Sequence, residues 1–127
     1  LREQLVYGDT GWRDVKDASV FATGKVYLRR AGNVINLIIK DATLAGAPTG
    51  TVNIPGLTPN GFRPYENIDQ ALFVSPVFQR AFLGGTELRF YGVPSGNPVI
   101  TGSFVYMTTD VWPATLPGTA AGGVPNV

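Results

Sequence analysis

The sequence predicts an all-β domain, built as an antiparallel β-sandwich. Its 16 glycines and 10 prolines are spread along the 127 residues between short apolar stretches, a pattern typical of many strands joined by turns. Several of these stretches alternate apolar and polar residues with a period of two, as half-buried strands do. A chain of this length is the size of one domain and can bury a core without metals or disulfides.

The expected strands follow one another with clear turn signals between them. Ala31-Gly32-Asn33 and Gly84-Gly85 are each predicted to close a tight hairpin, because glycine and asparagine tolerate the positive φ that such turns need. Two longer irregular segments, "LAGAPTG" and "PGLTPNGFRPYEN", are candidates for functional loops. The strands are predicted at residues 12–15, 20–21 continuing into 25–30, 34–40, 51–54, 70–75, 77–83, 87–91 and 99–109.

The two ends of the chain differ in character from this central part. "LREQLV" has Leu1 and Leu5 one helical turn apart, and the chain begins with leucine, so residues 1–8 are expected to be the end of a stem that belongs to a longer protein. Residues 9–112 are expected to form the sandwich. Residues 113–127 show no apolar periodicity and are expected to form an extended tail, disordered past about Gly118.

Several strands carry apolar residues on both faces. In "VINLII", Val34 and Ile38 lie on the face opposite to the one that the core would cover. A monomeric sandwich should place polar residues there. We therefore expect one sheet to pack against copies of itself, with Val34 and Ile38 in the interface. The alternative is that the apolar excess is ordinary, because over half of any folded surface consists of apolar atoms and some of these strands are central to a curled barrel.

Composition excludes several classes of function. The chain has no cysteine and no histidine, which excludes disulfides, thiolate nucleophiles, histidine metal sites and Ser-His-Asp triads. The net charge is only +1, and the basic residues are scattered, so no nucleic-acid partner is expected. No apolar run is long enough for membrane insertion, and no phosphate-binding glycine loop is present.

Catalysis would have to rely on carboxylates, since the other common catalytic groups are missing. Glu66 with Asp69 or Asp110 could form such a pair, as in glycoside hydrolysis. None of them lies in an apolar stretch that would raise a pKa to make a general acid. Asp14 and Asp17 form a second acidic pair, and they too lie outside any apolar stretch that would raise a pKa. The expectation is a protein that is not an enzyme and holds neither a cofactor nor a metal, because no acidic spacing matches a calcium loop.

Binding of a saccharide is better supported by the residues. Sugars are recognised by aromatic faces together with planar polar side chains, and the segment "FRPYENIDQ" concentrates both. Two further residues on the non-core face of one strand could extend the patch. The alternative is a structural role, in which Phe62 and Pro64 fix the loop to the domain and Tyr65 covers the edge of the core. The candidate ligand-binding residues are Arg63, Tyr65, Glu66, Asn67 and Asp69 in the loop, extended by Arg89 and Tyr91.

The two tryptophans, Trp12 and Trp112, lie near the two ends of the predicted domain. Tryptophan supplies a large area for burial and has one donor to satisfy. Both are expected to be buried anchors of the core and not platforms for a ligand.

Four motifs in order, "DTGWRDV", "GKVYLRRAGNVINL", "IPGLTPNGFRP" and "YMTTDVWPATLPG", resemble the C-terminal domain of tail fibre or minor tail proteins of siphophages that infect Gram-positive, actinobacterial hosts. The resemblance extends over residues 9–118. It implies a homotrimeric, jelly-roll-like β-sandwich head at the tip of a fibre, joined to upstream fibre or tail proteins. Its implied function, in the virion, is attachment to a host cell-wall saccharide.

Two alternatives remain at this point. The domain could be a structural trimerisation or capping module of a fibre that makes no receptor contact. It could also be a polysaccharide-degrading domain that uses Glu66 and Asp69 or Asp110. Neither the host nor the sugar follows from the sequence.

Overall fold

The computed structural model describes residues 8–121, and these form an all-β domain, as predicted. All strand pairings are antiparallel. No helix in this part of the chain is long and apolar enough to cross a membrane. The nine strands are β1 (Arg13–Asp14), β2 (Phe21–Ala31), β3 (Val34–Leu44), β4 (Gly50–Pro55), β5 (Ile68–Val74), β6 (Val77–Gly84), β7 (Glu87–Val93), β8 (Ile100–Met107) and β9 (Thr119–Ala120).

Both hairpins expected from glycine-rich turns are present. In the β2–β3 hairpin Ala31 pairs with Val34, and Gly32 between them has a φ of 60°. In the β6–β7 hairpin Gly84 pairs with Glu87. These local turns hold consecutive strands side by side, so the hairpin registers follow from the sequence.

β3 is longer than predicted because a bulge carries it past Lys40. The register shifts between Ile39 and Ala42, and Asp41 in the bulge has a φ of 51°. Gly24 on β2 faces this bulge, where any Cβ would collide with the backbone of Asp41 and Ala42. Glycine is therefore required at position 24 for the two strands to approach closely.

The strands form one curled sheet in the order β4-β7-β6-β5-β8-β3-β2-β1-β9. Its two halves are joined where β5 meets β8, through the pairs Phe73–Thr101 and Val74–Ile100. Beyond these pairs the Gln70 side chain donates to the Ser103 carbonyl. One apolar core includes residues of both halves, so the arrangement is sandwich-like: Phe21, Val26, Leu28, Ile35, Leu37, Ile39, Phe104 and Tyr106 lie on one side, and Ile54, Leu72, Ala81, Leu83, Leu88 and Phe90 on the other.

The segment after Gly118 does not match its prediction. Thr119–Ala120 forms strand β9 and pairs with Arg13–Asp14 of β1, and the Ala121 amide donates to the Trp12 carbonyl at 2.9 Å. The expectation of disorder past Gly118 is therefore wrong for residues 119–121, because the edge of β1 supplies backbone partners. The predicted stem and the last residues, at 1–7 and 122–127, lie outside the described part of the chain.

Apolar side chains do occupy both faces of the sheet, as expected. On β8, Phe104 and Tyr106 are buried, whereas Val105 is 64% and Met107 56% exposed. Val34 pairs with Met107 and is also exposed. We call Val34, Ile38, Val105 and Met107 the aliphatic face. Within residues 8–121 a curled sheet does not hide Val105 and Met107, which leaves ordinary apolar surface or contact with another copy as the explanation.

Candidate functional site

A second outer surface, on β5, β6 and β7, carries aromatic and charged side chains. Asp69 pairs with Phe82, and Phe82 pairs in turn with Arg89 on the next strand. Arg80 lies two residues before Phe82 on β6, and Tyr91 lies two residues after Arg89 on β7. Because side chains alternate along strands, all five project away from the core. We call Asp69, Arg80, Phe82, Arg89 and Tyr91 the aromatic–arginine face.

The rings and guanidinium groups of this face are stacked together. The Arg80 guanidinium carbon lies 4.6 Å from the centroid of the Tyr91 ring. That of Arg89 lies 5.3 Å from the Phe82 ring and 5.9 Å from the Tyr91 ring. Cation–π contacts at these distances hold long side chains against the sheet. The result is a row of flat groups held on the outside of the domain.

Polar partners orient the two arginines further. Arg80 Nε donates to Asp69 at 3.1 Å. Arg89 donates to Asn53 at 2.7 Å and to Glu87 at 3.0 Å. The hydrogen bond to Asp69 raises the pKa of Arg80, and that of Arg89 is raised by Tyr91, so both guanidinium groups stay charged. The carboxylates of Asp69 and Glu87 balance the positive charges of Arg80 and Arg89.

The structure divides the sequence-predicted binding residues among three places. Asp69, Arg89 and Tyr91 meet on the aromatic–arginine face. Asn67 borders it, since its amide oxygen and the Phe82 ring both cover Gly84. Tyr65 and Glu66 line a small cavity beside Met107, next to the aliphatic face. Arg63 lies elsewhere, in the cluster described next.

Arg63 belongs to a cluster that joins the loop before β5 to the segment after β8. Its Nε and Nη2 each lie 3.0 Å from an oxygen of Asp110. Asp110 also accepts the amides of Gly61 at 2.9 Å and Arg63 at 3.1 Å. The Arg63 hydrogen bond and these amides lower the pKa of Asp110 despite its partial burial. A general acid needs the opposite shift.

Arg30 completes this cluster from the core side. Arg30 is only 3% exposed and stacks over the Trp112 ring at 4.8 Å. We call Arg30, Arg63, Asp110 and Trp112 the loop junction. Burial lowers the pKa of Arg30, but its donors are used: they reach the carbonyls of Gly32, Gly61, Asp110 and Val111 and the side chain of Asn33.

The two tryptophans are half-buried and not fully buried as expected. Each has an arginine over its ring: Arg30 over Trp112, and Arg29 over Trp12 at 5.6 Å. Arg29 is also paired with Asp9. The tryptophans therefore anchor the two terminal segments to the sheet through arginines, and the sequence did not indicate this pairing.

A cleft of about 500 Å³ lies between the segment after β1 and the end of β4. Asp14 and Asp17 line one side and Leu57 the other. The Asp17 carboxylate is occupied by the hydroxyl and amide of Ser19, which lower its pKa. Of the described residues that line the cleft, Phe21 alone is aromatic. It is only 1% exposed, so the cleft presents no ring for stacking.

The predicted site did not include two members of the aromatic–arginine face, Arg80 and Phe82, nor the two residues that accept hydrogen bonds from Arg89, Asn53 and Glu87. Along β6, Arg80 and Phe82 alternate with the buried Ala81 and Leu83, so both lie on one side of that strand. The predicted Gly84-Gly85 hairpin joins β6 to β7 and brings Arg80 and Phe82 next to Arg89 and Tyr91. Missing from the sequence was the pairing of β4 with β7, which brings Asn53 to Arg89. Within residues 8–121, no group of three or more acidic, histidine or cysteine side chains could hold a metal ion.

The chain was compared with known proteins at three levels. No family model matches it, no curated protein matches it, and no solved structure matches it.

Proposed function

We propose that this chain is a non-catalytic carbohydrate-binding domain whose ligand lies on the aromatic–arginine face. The observation that carries the proposal is the stacking of Arg80 and Arg89 against Tyr91 and Phe82 on an outward surface. Aromatic rings contact the C–H faces of sugars, and the fixed guanidinium, amide and carboxylate groups beside them match sugar hydroxyls as donors and acceptors. Their partners hold these side chains in place before the ligand arrives, which lowers the entropic cost of binding.

The charges on this surface support binding over turnover. Asp69 and Glu87 each accept a hydrogen bond from an arginine, so both carboxylates are already engaged within the face. A retaining or inverting glycosidase needs one carboxyl group kept protonated. Asp110, the other acid considered for catalysis, lies in the loop junction with a lowered pKa.

The biological setting of the proposal comes from the sequence resemblance. In that setting the domain is the receptor-binding head of a phage tail fibre, exposed on the virion, and it attaches to a host cell-wall saccharide. The aliphatic face supports self-association, because exposed Val105 and Met107 are suited to contact another copy, and the resemblance makes that assembly a homotrimer. A trimer would offer three weak sites to one repeating polymer. Once the first site is occupied, binding at the other two is intramolecular, so the overall affinity is much higher than that of one site.

Retention on immobilised host cell-wall polysaccharide tests the proposal. We expect Tyr91→Ala to lower retention about tenfold or more while leaving the circular dichroism spectrum unchanged, because the ring faces solvent. Tyr65→Ala is the matched control: Tyr65 is 66% exposed, and the structure places it beside Met107. Loss of retention with Tyr65→Ala and not with Tyr91→Ala would move the site to the loop and overturn the proposal.

A purely structural trimerisation module is the second candidate, favoured by the aliphatic face. Light scattering coupled to size exclusion should give about three times the 13.5 kDa chain mass for the wild type. We expect Val105→Lys to shift the mass toward that of one chain, because a buried unpaired charge opposes assembly. A trimer that binds no envelope saccharide would favour the structural module, and a wild-type monomer would remove the trimer from both candidates.

A further inference from the structure

Two more aromatic side chains continue the aromatic–arginine face toward the β5–β6 turn. Phe78 pairs with Phe73 across the hairpin. Their ring centroids are 5.2 Å apart, with the planes at 63°. Phe78 is 71% and Phe73 38% exposed. Within one chain this pair leaves a large apolar area open to water, on the same side of the sheet as Arg80 and Phe82.

β6 contributes one residue to each of three successive rows on this side of the sheet. Phe82 lies with Arg89, Arg80 with Tyr91, and Phe78 with Phe73. Two residues along an antiparallel strand advance about 6.8 Å, so the rows at 78 and 82 are about 14 Å apart. One sugar ring covers one row, and only a chain of sugars reaches from Phe82 to Phe78.

The shape of the surface also restricts the ligand. Phe78 is 71% exposed and the Arg80 side chain 63%, so these residues form an open strip on the sheet surface. Such a strip accepts a chain lengthwise, whereas a pocket selects the terminal unit. The charges of the two arginines are balanced by Asp69 and Glu87, so the strip does not require an acidic ligand.

We propose that the face binds an internal segment of a linear, neutral polysaccharide, with at least three sugar units lying along β6 from Phe82 to Phe78. This inference rests on the proposed carbohydrate-binding function and extends it to the class of ligand. Phe78 and Phe73 form the distal contact, and Tyr91 with Arg80 the central one. The polymer enters from the side, so its ends need not be free.

The test begins with the wild-type chain on immobilised neutral and acidic linear polysaccharides. The neutral polymer that retains it is then cut by partial acid hydrolysis into oligosaccharides of about one to six units, and each is titrated by calorimetry. We expect affinity to rise up to about three units and then to level off. Phe78→Ala should weaken binding of the longest oligosaccharide about tenfold, and that of the two-unit one less than about twofold, because only the longer ligand reaches that ring.

Val111→Ala is the matched control, since Val111 is 85% exposed and lies away from this face in the segment after β8. It should leave every affinity unchanged. Affinity independent of length, an unchanged affinity in Phe78→Ala, or retention on acidic polymers alone would overturn this inference and leave the carbohydrate-binding proposal standing. No retention on any polysaccharide would overturn both.

Discussion

The loop junction and the aromatic–arginine face use the same three kinds of group: arginine, carboxylate and aromatic ring. In the junction, Arg30 is 3% exposed and donates to main-chain carbonyls of separate segments. On the face, Arg80 has a side chain 63% exposed and donates to the Asp69 side chain. The buried Arg30 has its donors used within the fold, whereas the arrangement on the face presents a flat surface to a ligand.

The difference shows how the same chemistry serves stability or recognition according to burial. A buried guanidinium satisfies backbone carbonyls that would otherwise lose their hydrogen bonds, so its removal is costly. An exposed guanidinium paired with an exposed carboxylate contributes little to folding, because water competes for both groups. Substitutions in the junction should therefore change stability, and those on the face should change binding.

The largest effect is expected for Arg30→Met. This change leaves the carbonyls of Gly61 and Asp110 without their donor and removes the cation over Trp112. We expect a loss of about 3 kcal/mol in the free energy of unfolding, measured by urea denaturation. Arg80→Met is the matched control and should leave the urea midpoint unchanged. Equal losses in both variants would contradict the division between junction and face.

A smaller, pH-dependent effect is expected for Asp110→Asn. The pKa of Asp110 is below its usual value of 3.8 in the folded chain. The stability that it contributes is therefore fully present above about pH 4 and is lost as the pH falls through the folded-state pKa. The substitution should lower the free energy of unfolding by about 1 kcal/mol at neutral pH.

The measurement is a series of urea unfolding curves for Asp110→Asn and the wild type from about pH 7 down to about pH 2. The difference between the two proteins should shrink as the pH falls, because protonation removes the wild type's advantage. Asp9 also has a lowered pKa: burial raises it, and Arg29 with the Gly11 amide lowers it by more. Its contribution is common to both proteins and cancels in the difference. A gap that stays constant with pH would show that Asp110 does not act through its charge.

The smallest effect on folding is expected for Asp69→Asn. Its carboxylate is 47% exposed and meets Arg80 through one contact at 3.1 Å, so the thermal midpoint should be unchanged. Retention on polysaccharide should fall, because Arg80 loses the partner that orients it over Tyr91. Thermal melting and retention on the same preparation separate the two effects. A lower midpoint with unaltered retention would assign Asp69 to the fold instead of the face.

The candidate site could be predicted in part. Arg89 and Tyr91 were placed together because they alternate with Leu88 and Phe90, which are both buried. Arg63 was grouped with Tyr65 only because they are neighbours in the sequence. In the structure Arg63 binds Asp110, which lies 47 residues further along the chain. Proximity in sequence thus predicted well which side chains lie together within a strand, and poorly which lie together within a loop.

What the sequence determined by itself is local: the strands, their alternation and the hairpins at Gly32 and Gly85. A period of two and a positive φ are properties of a few adjacent residues. The tertiary structure decided which strands became neighbours beyond the hairpins, placing Asn53 of β4 beside Arg89 of β7 and β9 beside β1. Such pairings join segments far apart in the chain, and their register depends on how all the strands share one core, which no short stretch of sequence specifies.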